Sequence, residues 1–256
     1  MARVFISGSA QGLGLMAGRL LADWGHEVIL HGRNAERAAA AHEQVPQARA
    51  VIIGDLSTIA ATKDVAAQVN ALGSCDAVIH NAAVGYQEAP QITADGLPHL
   101  FAINTLSVYV LTALIAPPKR LIYMSSGMHK SARAHIDDLT WKARPWRAAE
   151  AYAQSKLHDT MLAFAIARRW PDVRSNAVEP GWVATRMGGP GAPDDLAKGA
   201  ETQAWLAAGE DPTTQVSGRY FFHKRERDPN PEARDEALQD QLIAGCERLS
   251  GVTLPD

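Results

Sequence analysis

Short apolar runs alternate with longer segments of helical period along this chain. Arg3-Val4-Phe5-Ile6-Ser7 reads as a first strand, Glu27-Val28-Ile29-Leu30 as a second and Ala50-Val51-Ile52-Ile53 as a third. Further strands are expected at Asp76 to His80, Leu121 to Ser125, Val173 to Val178 and Arg219 to Phe222. Between them lie predicted helices. One begins near Leu15 and stops at Gly25, and others span Ala35 to Glu43, Thr58 to Ala71 and Ala102 to Ile115. Pro117-Pro118 ends the last of these. A long helix is expected over Glu150 to Trp170. Strands that are apolar throughout, alternating with helices, imply a parallel sheet covered on both faces. The expectation is a single doubly wound α/β domain over residues 1–256, with a seven-stranded, mostly parallel sheet. No linker divides it.

Composition narrows the class. With 256 residues, 46% hydrophobic and 21% charged, the chain suits one sizeable soluble domain. A net charge of −3 argues against a general nucleic-acid binder. The densest charge run, Lys224-Arg225-Glu226-Arg227-Asp228, mixes signs and reads as solvated surface. Cys75 and Cys246 form no disulfide framework and no metal-ligand spacing, which fits a reducing cytoplasm. No run approaches the roughly 18 apolar residues of a membrane span. A cleaved signal peptide is not expected either, because cleavage would remove the glycines described next.

Gly8-Ser9-Ala10-Gln11-Gly12-Leu13-Gly14 joins the first strand to the first helix. Glycines permit positive φ and close approach of a phosphate, and the helix beyond offers free N–H groups and its positive dipole end. Far along the chain, Tyr152-Ala153-Gln154-Ser155-Lys156 places a phenol and an ammonium one helical turn apart. A free tyrosine, with a pKa of about 10, is a poor acid–base group near neutrality, and a neighbouring cation favours the phenolate. Such a pair suits proton transfer to a carbonyl or from an alcohol.

Taken together and in order, these features resemble the short-chain dehydrogenase/reductase family. Asn81-Ala82-Ala83 resembles the family's N-A-G segment, with Ala83 in place of glycine. Asn104 matches the family's helix asparagine, Ser125-Ser126 its post-strand serine, and Pro180-Gly181-Trp182-Val183-Ala184-Thr185 its P-G-x-V-x-T segment. The resemblance covers nearly the whole chain. It implies a Rossmann-type fold with a cofactor half over about 1–125 and a catalytic and substrate half over about 126–256. It also implies catalytic roles for Asn104, Ser126, Tyr152 and Lys156. Cofactor contacts would come from Gly8, Gln11, Gly12, Leu13, Gly14, Arg33, Asn34, Asp55, Leu56, Asn81, Ala82, Tyr152, Lys156, Pro180, Gly181, Val183 and Thr185.

Cofactor choice turns on His31-Gly32-Arg33-Asn34, after the second strand. An acid here would bind the ribose hydroxyls of NAD. Instead Gly32 and Arg33 occupy the turn, and a guanidinium suits the extra phosphate of NADP. NADP is therefore expected over NAD. Asp55-Leu56 resembles an adenine-contacting pair, and a helix N-cap role for Asp55 or Ser57 is the competing reading. Ser126 is chosen over Ser125 because the second serine of such a pair is usually the functional one in the family. The long stretch from Gly127 to Ala151, opening Ser-Ser-x-x-His, resembles the retinol dehydrogenase and carbonyl reductase-like branch. That insertion should shape a substrate pocket, for which His129, Trp182 and Met187 are candidates.

The histidines are dispersed, so no metal site is expected. Asp137-Asp138 and Asp194-Asp195 are adjacent pairs that point apart and read as caps or solvated turns. The serines lack a G-x-S-x-G elbow. The expected protein is a cytoplasmic NADP-dependent oxidoreductase interconverting a ketone or aldehyde and its alcohol. Alternatives are a catalytically silent NADP-binding sensor or scaffold, or a nucleotide-sugar lyase or epimerase, for which the chain is short. Met187-Gly188-Gly189-Pro190-Gly191-Ala192-Pro193 is expected to be a lid loop. A monomer or weak homodimer is expected, because the pre-tyrosine insertion should cover the family's usual pairing surface. The C-terminal stripe Leu238, Leu242, Ile243, Cys246 and Leu249 would pack on its own domain or meet a partner.

Overall fold

The computed structural model describes residues 1–86 and 90–255. Eight strands form one sheet in the order β3-β2-β1-β4-β5-β6-β7-β8. They are β1 (Arg3–Ile6), β2 (Glu27–Gly32), β3 (Ala50–Ile53), β4 (Ala77–His80), β5 (Arg120–Met124), β6 (Arg174–Glu179), β7 (Tyr220–Phe222) and β8 (Arg225–Glu226). The first seven are parallel, and β8 folds back antiparallel on β7. This is the doubly wound Rossmann-type sheet, with one strand more than expected. The turn into β8 uses His223 and Lys224, both at positive φ. No glycine or asparagine marks it, so the hairpin carries no sequence signal.

Helices α1 (Gly12–Asp23), α2 (Ala35–Gln44) and α7 (Leu196–Ala208) serve one face, while α3 (Ile59–Ala71), α5 (Ser107–Leu114), α6 (Ala148–Arg169) and α8 (Glu236–Ser250) serve the other. A short helix α4 (His99–Phe101) runs into α5 through a π-turn over Ala102–Leu106. The expected Ala102 to Ile115 helix is thus longer at its start and wound more loosely in the middle. The C-terminal stripe packs inward: Leu242, Ile243 and Cys246 are buried in the core that holds Leu157 and Met161 of α6. Arg168 and Arg169 of α6 both pair with Asp240 of α8.

Helix α6 is buried from Ala151 through Ile166 on every side. Most polar groups in that run find partners within the fold. Gln154 Nε2 and His158 Nε2 each bond the Ala134 carbonyl, at 3.0 and 2.7 Å, and Ser155 Oγ donates to the Tyr152 carbonyl. The insertion before Tyr152 covers the helix. Asp138 accepts from the N–H groups of Lys142 and Ala143 and pairs with Arg144, whose guanidinium lies over Trp141 and donates to Gln154.

Candidate active site

The cofactor cradle is made by backbone. Gly8 sits at φ +62, and a Cβ there would stand 2.6 Å from the Ala82 Cα. At Gly14 a Cβ would overlap the Asn81 amide and the Gly8 carbonyl. Asn81 itself ties the two strand ends, donating to the Ser7 and Gly8 carbonyls at 3.1 and 2.9 Å. The N-cap Gln11 makes no side-chain cap bond, so its side chain leaves the first N–H groups of α1 to another acceptor. Gly12, at φ +59, has only Thr185 Cγ2 within 4 Å of its Cβ position. Narrow glycine contacts, free helix N–H groups and open room above Gly12 fit a pyrophosphate.

His31 is a residue that sequence reading passed over. The Gly8 N–H donates to its Nδ1 at 2.9 Å, so Nε2 carries the proton and faces the Gly54 carbonyl at 2.9 Å. The imidazole, carried by the end of β2, thereby fastens the turns after β1 and β3 together. Burial lowers its pKa, and protonation would break the bond from Gly8. Beyond it, Arg33 and Asn34 are exposed, and Asn34 caps α2 through the Arg37 N–H. Arg37 donates to Gln11 Oε1 at 3.1 Å, which brings a second guanidinium to the cradle. Asp55 accepts from the Ser57 N–H at 2.9 Å, closing the turn that precedes α3, and the helix cap itself is Thr58 rather than Asp55 or Ser57. Leu56 lies in the core rather than on the open face.

The catalytic candidates converge from β5, the π-turn and α6. Tyr152 is 8% exposed and lies among Leu100, Val84, Met128, Trp141, Trp146 and Met187. Its hydroxyl donates to Met187 Sδ at 3.9 Å, and its ring meets that of Tyr86 at 5.6 Å. The Lys156 ammonium stands 5.9 Å from the Tyr152 ring centre. It donates to the Met124 carbonyl and to Asp159 Oδ2, both at 2.8 Å. Burial works against the cation, but the charges of Asp159 and then Tyr152 outweigh it and hold the Lys156 pKa above its ordinary value.

Ser125 is buried and used: its hydroxyl donates to the Lys156 carbonyl at 2.8 Å and accepts from Thr160 at 2.9 Å. Ser126 is half-buried, and its Oγ accepts the Met128 N–H at 3.3 Å. Asn104 occupies the π-turn. Its amide pairs with Val84 N–H and C=O at 2.8 and 3.0 Å and donates to Ser155 at 3.1 Å. Its side chain therefore reaches α6 at Ser155, beside Lys156 rather than on it.

Two pocket expectations need correction. His129 is fully buried. Its Nε2 accepts the Asn230 N–H at 3.1 Å, so Nδ1 donates to the Ser126 carbonyl at 2.7 Å. It fastens the segment behind Ser126 and lines no open pocket. Trp182 is 59% exposed, with its indole N–H on the Gly188 carbonyl at 2.8 Å. It braces the loop after β6 from outside. That loop is also pinned by Gly188 N–H to Thr185 Oγ1 and by a bridge between Val183 and Asp194. Met187, by contrast, does reach Tyr152. A further residue emerges at Glu179, whose carboxylate accepts from Tyr220 at 2.6 Å and lies against Gly127.

Fold and site together define a dinucleotide-binding oxidoreductase class. Residues 2–195 match the family model described as short chain dehydrogenase, so the chain belongs to the short-chain dehydrogenase/reductase family, whose members bind a nicotinamide cofactor. It is 42% identical to an uncharacterized oxidoreductase of Emericella nidulans, over all of this chain and 99% of that one. Human retinol dehydrogenase 13 is 29% identical over 98% of this chain and 85% of its own, in keeping with the retinol dehydrogenase-like branch. Among solved structures, an uncharacterized protein of Mycobacterium paratuberculosis superposes with a TM-score of 0.85 at 24% identity, covering 100% of this chain and 96% of that one. Among the described residues no group of three His, Cys, Asp or Glu could hold a metal ion, and no helix is long and apolar enough to cross a membrane.

Proposed function

We propose that this chain is an NADP(H)-dependent carbonyl reductase acting on an apolar ketone or aldehyde. The observation that carries the reading is Tyr152, its hydroxyl in an apolar recess and its ring beside a buried ammonium. The loop after β6 links that recess to the glycine cradle, through Thr185 near Gly12 and Met187 on Tyr152. Gly8, Gln11, Gly12, Leu13 and Gly14 would hold the pyrophosphate, with Pro180, Gly181, Val183 and Thr185 on the nicotinamide side. Arg33, with Arg37 nearby, would take the ribose phosphate that distinguishes NADP. A bound nicotinamide supplies the hydride to the carbonyl carbon.

The chain's own residues manage the oxygen. Ser126 orients it by a hydrogen bond. Tyr152 gives it a proton, completing the alcohol. Lys156 has three donors, two of them engaged among the described residues, and the third would serve the nicotinamide ribose. Asn104 fixes the Val84 backbone and Ser155, and so the wall between cofactor and substrate. The aromatic and methionine lining excludes water and favours an apolar substrate. Buried free cysteines suit the reducing cytoplasm. The all-round burial of α6 supports a monomer or weak dimer, since the family's usual pairing surface is covered within the chain.

The test is a panel of ketones and aldehydes offered with NADPH or NADH. Carbonyl-dependent oxidation of NADPH, faster than of NADH, is expected for at least one apolar member. Tight NADPH binding with no turnover across the panel would favour a silent binding protein instead.

A further inference from the structure

On α6, Tyr152, Lys156 and Asp159 stand at spacings of four and three, which places all three on one helical stripe. Lys156 and Asp159 are 3% and 2% exposed. Asp159 Oδ2 accepts from Lys156 Nζ at 2.8 Å, and among the described residues its Oδ1 is buried with no hydrogen-bond partner. Among the described residues Asp159 caps no helix and holds no backbone N–H, and its one bonded partner is the lysine.

We propose that Asp159 is a positioning residue that tethers Lys156 and offsets the pull of its charge on the Tyr152 hydroxyl. This rests on the reading of Tyr152 as the proton donor. Tyr152 faces an ion pair rather than a lone cation, and the field of a pair falls off much faster with distance. The Met124 carbonyl and Asp159 together fix the ammonium, so it is not free to move onto the phenol.

Among the described residues, Asp159 and Tyr152 are the charges that act on Lys156. Tyr123 on β5 is neutral, its pKa raised by burial first, with the Asp159 charge adding to it. Thr112 of α5 and His80 of β4 continue from Tyr123 by hydrogen bonds, and burial keeps His80 uncharged, with a pKa of about 3. Ser125 and Thr160 are neutral. Burial pushes the Asp159 carboxyl up to about 6, with Lys156 opposing, which leaves it ionised at neutral pH and above.

The test is tyrosinate absorbance against pH in cofactor-free protein, read as the difference between each protein and its Tyr152→Phe counterpart. Asp159→Asn should move the ionisation of Tyr152 about one to two pH units lower, because Lys156 then acts uncancelled. The double variant Lys156→Met with Asp159→Leu removes the pair and should ionise within about half a unit of the wild type; apolar replacement of a buried pair is often tolerated by the fold. Coincident titration of Asp159→Asn and wild type would overturn the proposal. So would a double variant ionising a unit or more above wild type, and this variant decides if Asp159→Asn does not fold. A merely structural Asp159 would change thermal stability and leave Tyr152 where it was. No turnover is needed, so failure of carbonyl reduction would be a separate result.

Discussion

The turn between β1 and α1 presents bare backbone, whereas the middle of α6 presents polar side chains. The turn succeeds by what it lacks. Without a Cβ, Gly8 and Gly14 let Ala82 and Asn81 close in, and N–H groups remain for a phosphate. Helix α6 instead buries Gln154, Ser155, Lys156, His158, Asp159 and Thr160 in sequence. Each buried polar group needs a partner, and a buried ion pair gains specificity of geometry more than stability. The first region tolerates no added bulk. The second tolerates no lost partner.

Tyr152→Phe sharpens this contrast most. It removes one oxygen from a well-packed ring, so folding and cofactor binding should persist. Turnover should fall by about a thousandfold, on the order of 4 kcal/mol. Near-normal turnover in steady-state kinetics would remove Tyr152 from the chemistry.

Gly14→Ala probes the other region. The added methyl meets the Asn81 amide and the Gly8 carbonyl, and the cradle has no slack. Thermal denaturation should show a loss of about 1–3 kcal/mol, accompanied by weaker dinucleotide binding. Unchanged stability and binding would mean that the turn is looser than described.

Arg33→Ala separates the phosphate from the rest of the cofactor. Calorimetric titration should show NADPH weakened by about 1.5–3 kcal/mol, with NADH nearly unaffected. Equal weakening of both would show that Arg33 does not read the phosphate.

The smallest effect concerns acid. Burial lowers the pKa of His158 to about 4 and of His80 to about 3, from 6.5, and lowers His31 and His129 as well. As pH falls below about 6.5 the unfolded chain takes up these protons before the folded one does. Stability is therefore fully present above that pH and declines toward the folded values. Asp159, raised to about 6, acts in the opposite sense between 6 and 3.8, because there the folded protein binds the extra proton. One such carboxyl does not offset several histidines. The net loss should be about 1 kcal/mol or more per pH unit between about 6 and 5, visible as a falling melting temperature. A melting temperature that holds steady or rises over that interval would contradict the assignment of neutral buried histidines.

Much of the fold was readable because strands such as Ala50–Ile53 are apolar throughout and sit between well-marked helices. The β8 hairpin was not, since His223 and Lys224 adopt positive φ under tertiary constraint alone. The glycine turn and the Tyr152/Lys156 spacing were legible because each has a local geometric requirement. His31 and Asp159 were not. Their roles depend on what lies across the sheet or one turn along a buried helix, and a polar residue in sequence reads as solvated. His129 and Trp182 erred in opposite directions for the same reason: adjacency to a motif says nothing about which way a side chain faces. Asp194 could have been noticed as more than half of an acidic pair, since its carboxylate accepts the Trp182 N–H at 2.7 Å.

In the proposed reaction a hydride reaches the carbonyl carbon while Tyr152 protonates the oxygen. The most direct test is to incubate the protein with a ketone and NADPH deuterated at the transferable position, then weigh the product by mass spectrometry. One deuterium on the carbinol carbon of the alcohol is the predicted result. NADPH bound tightly, with no labelled alcohol from any carbonyl in the panel, would contradict it.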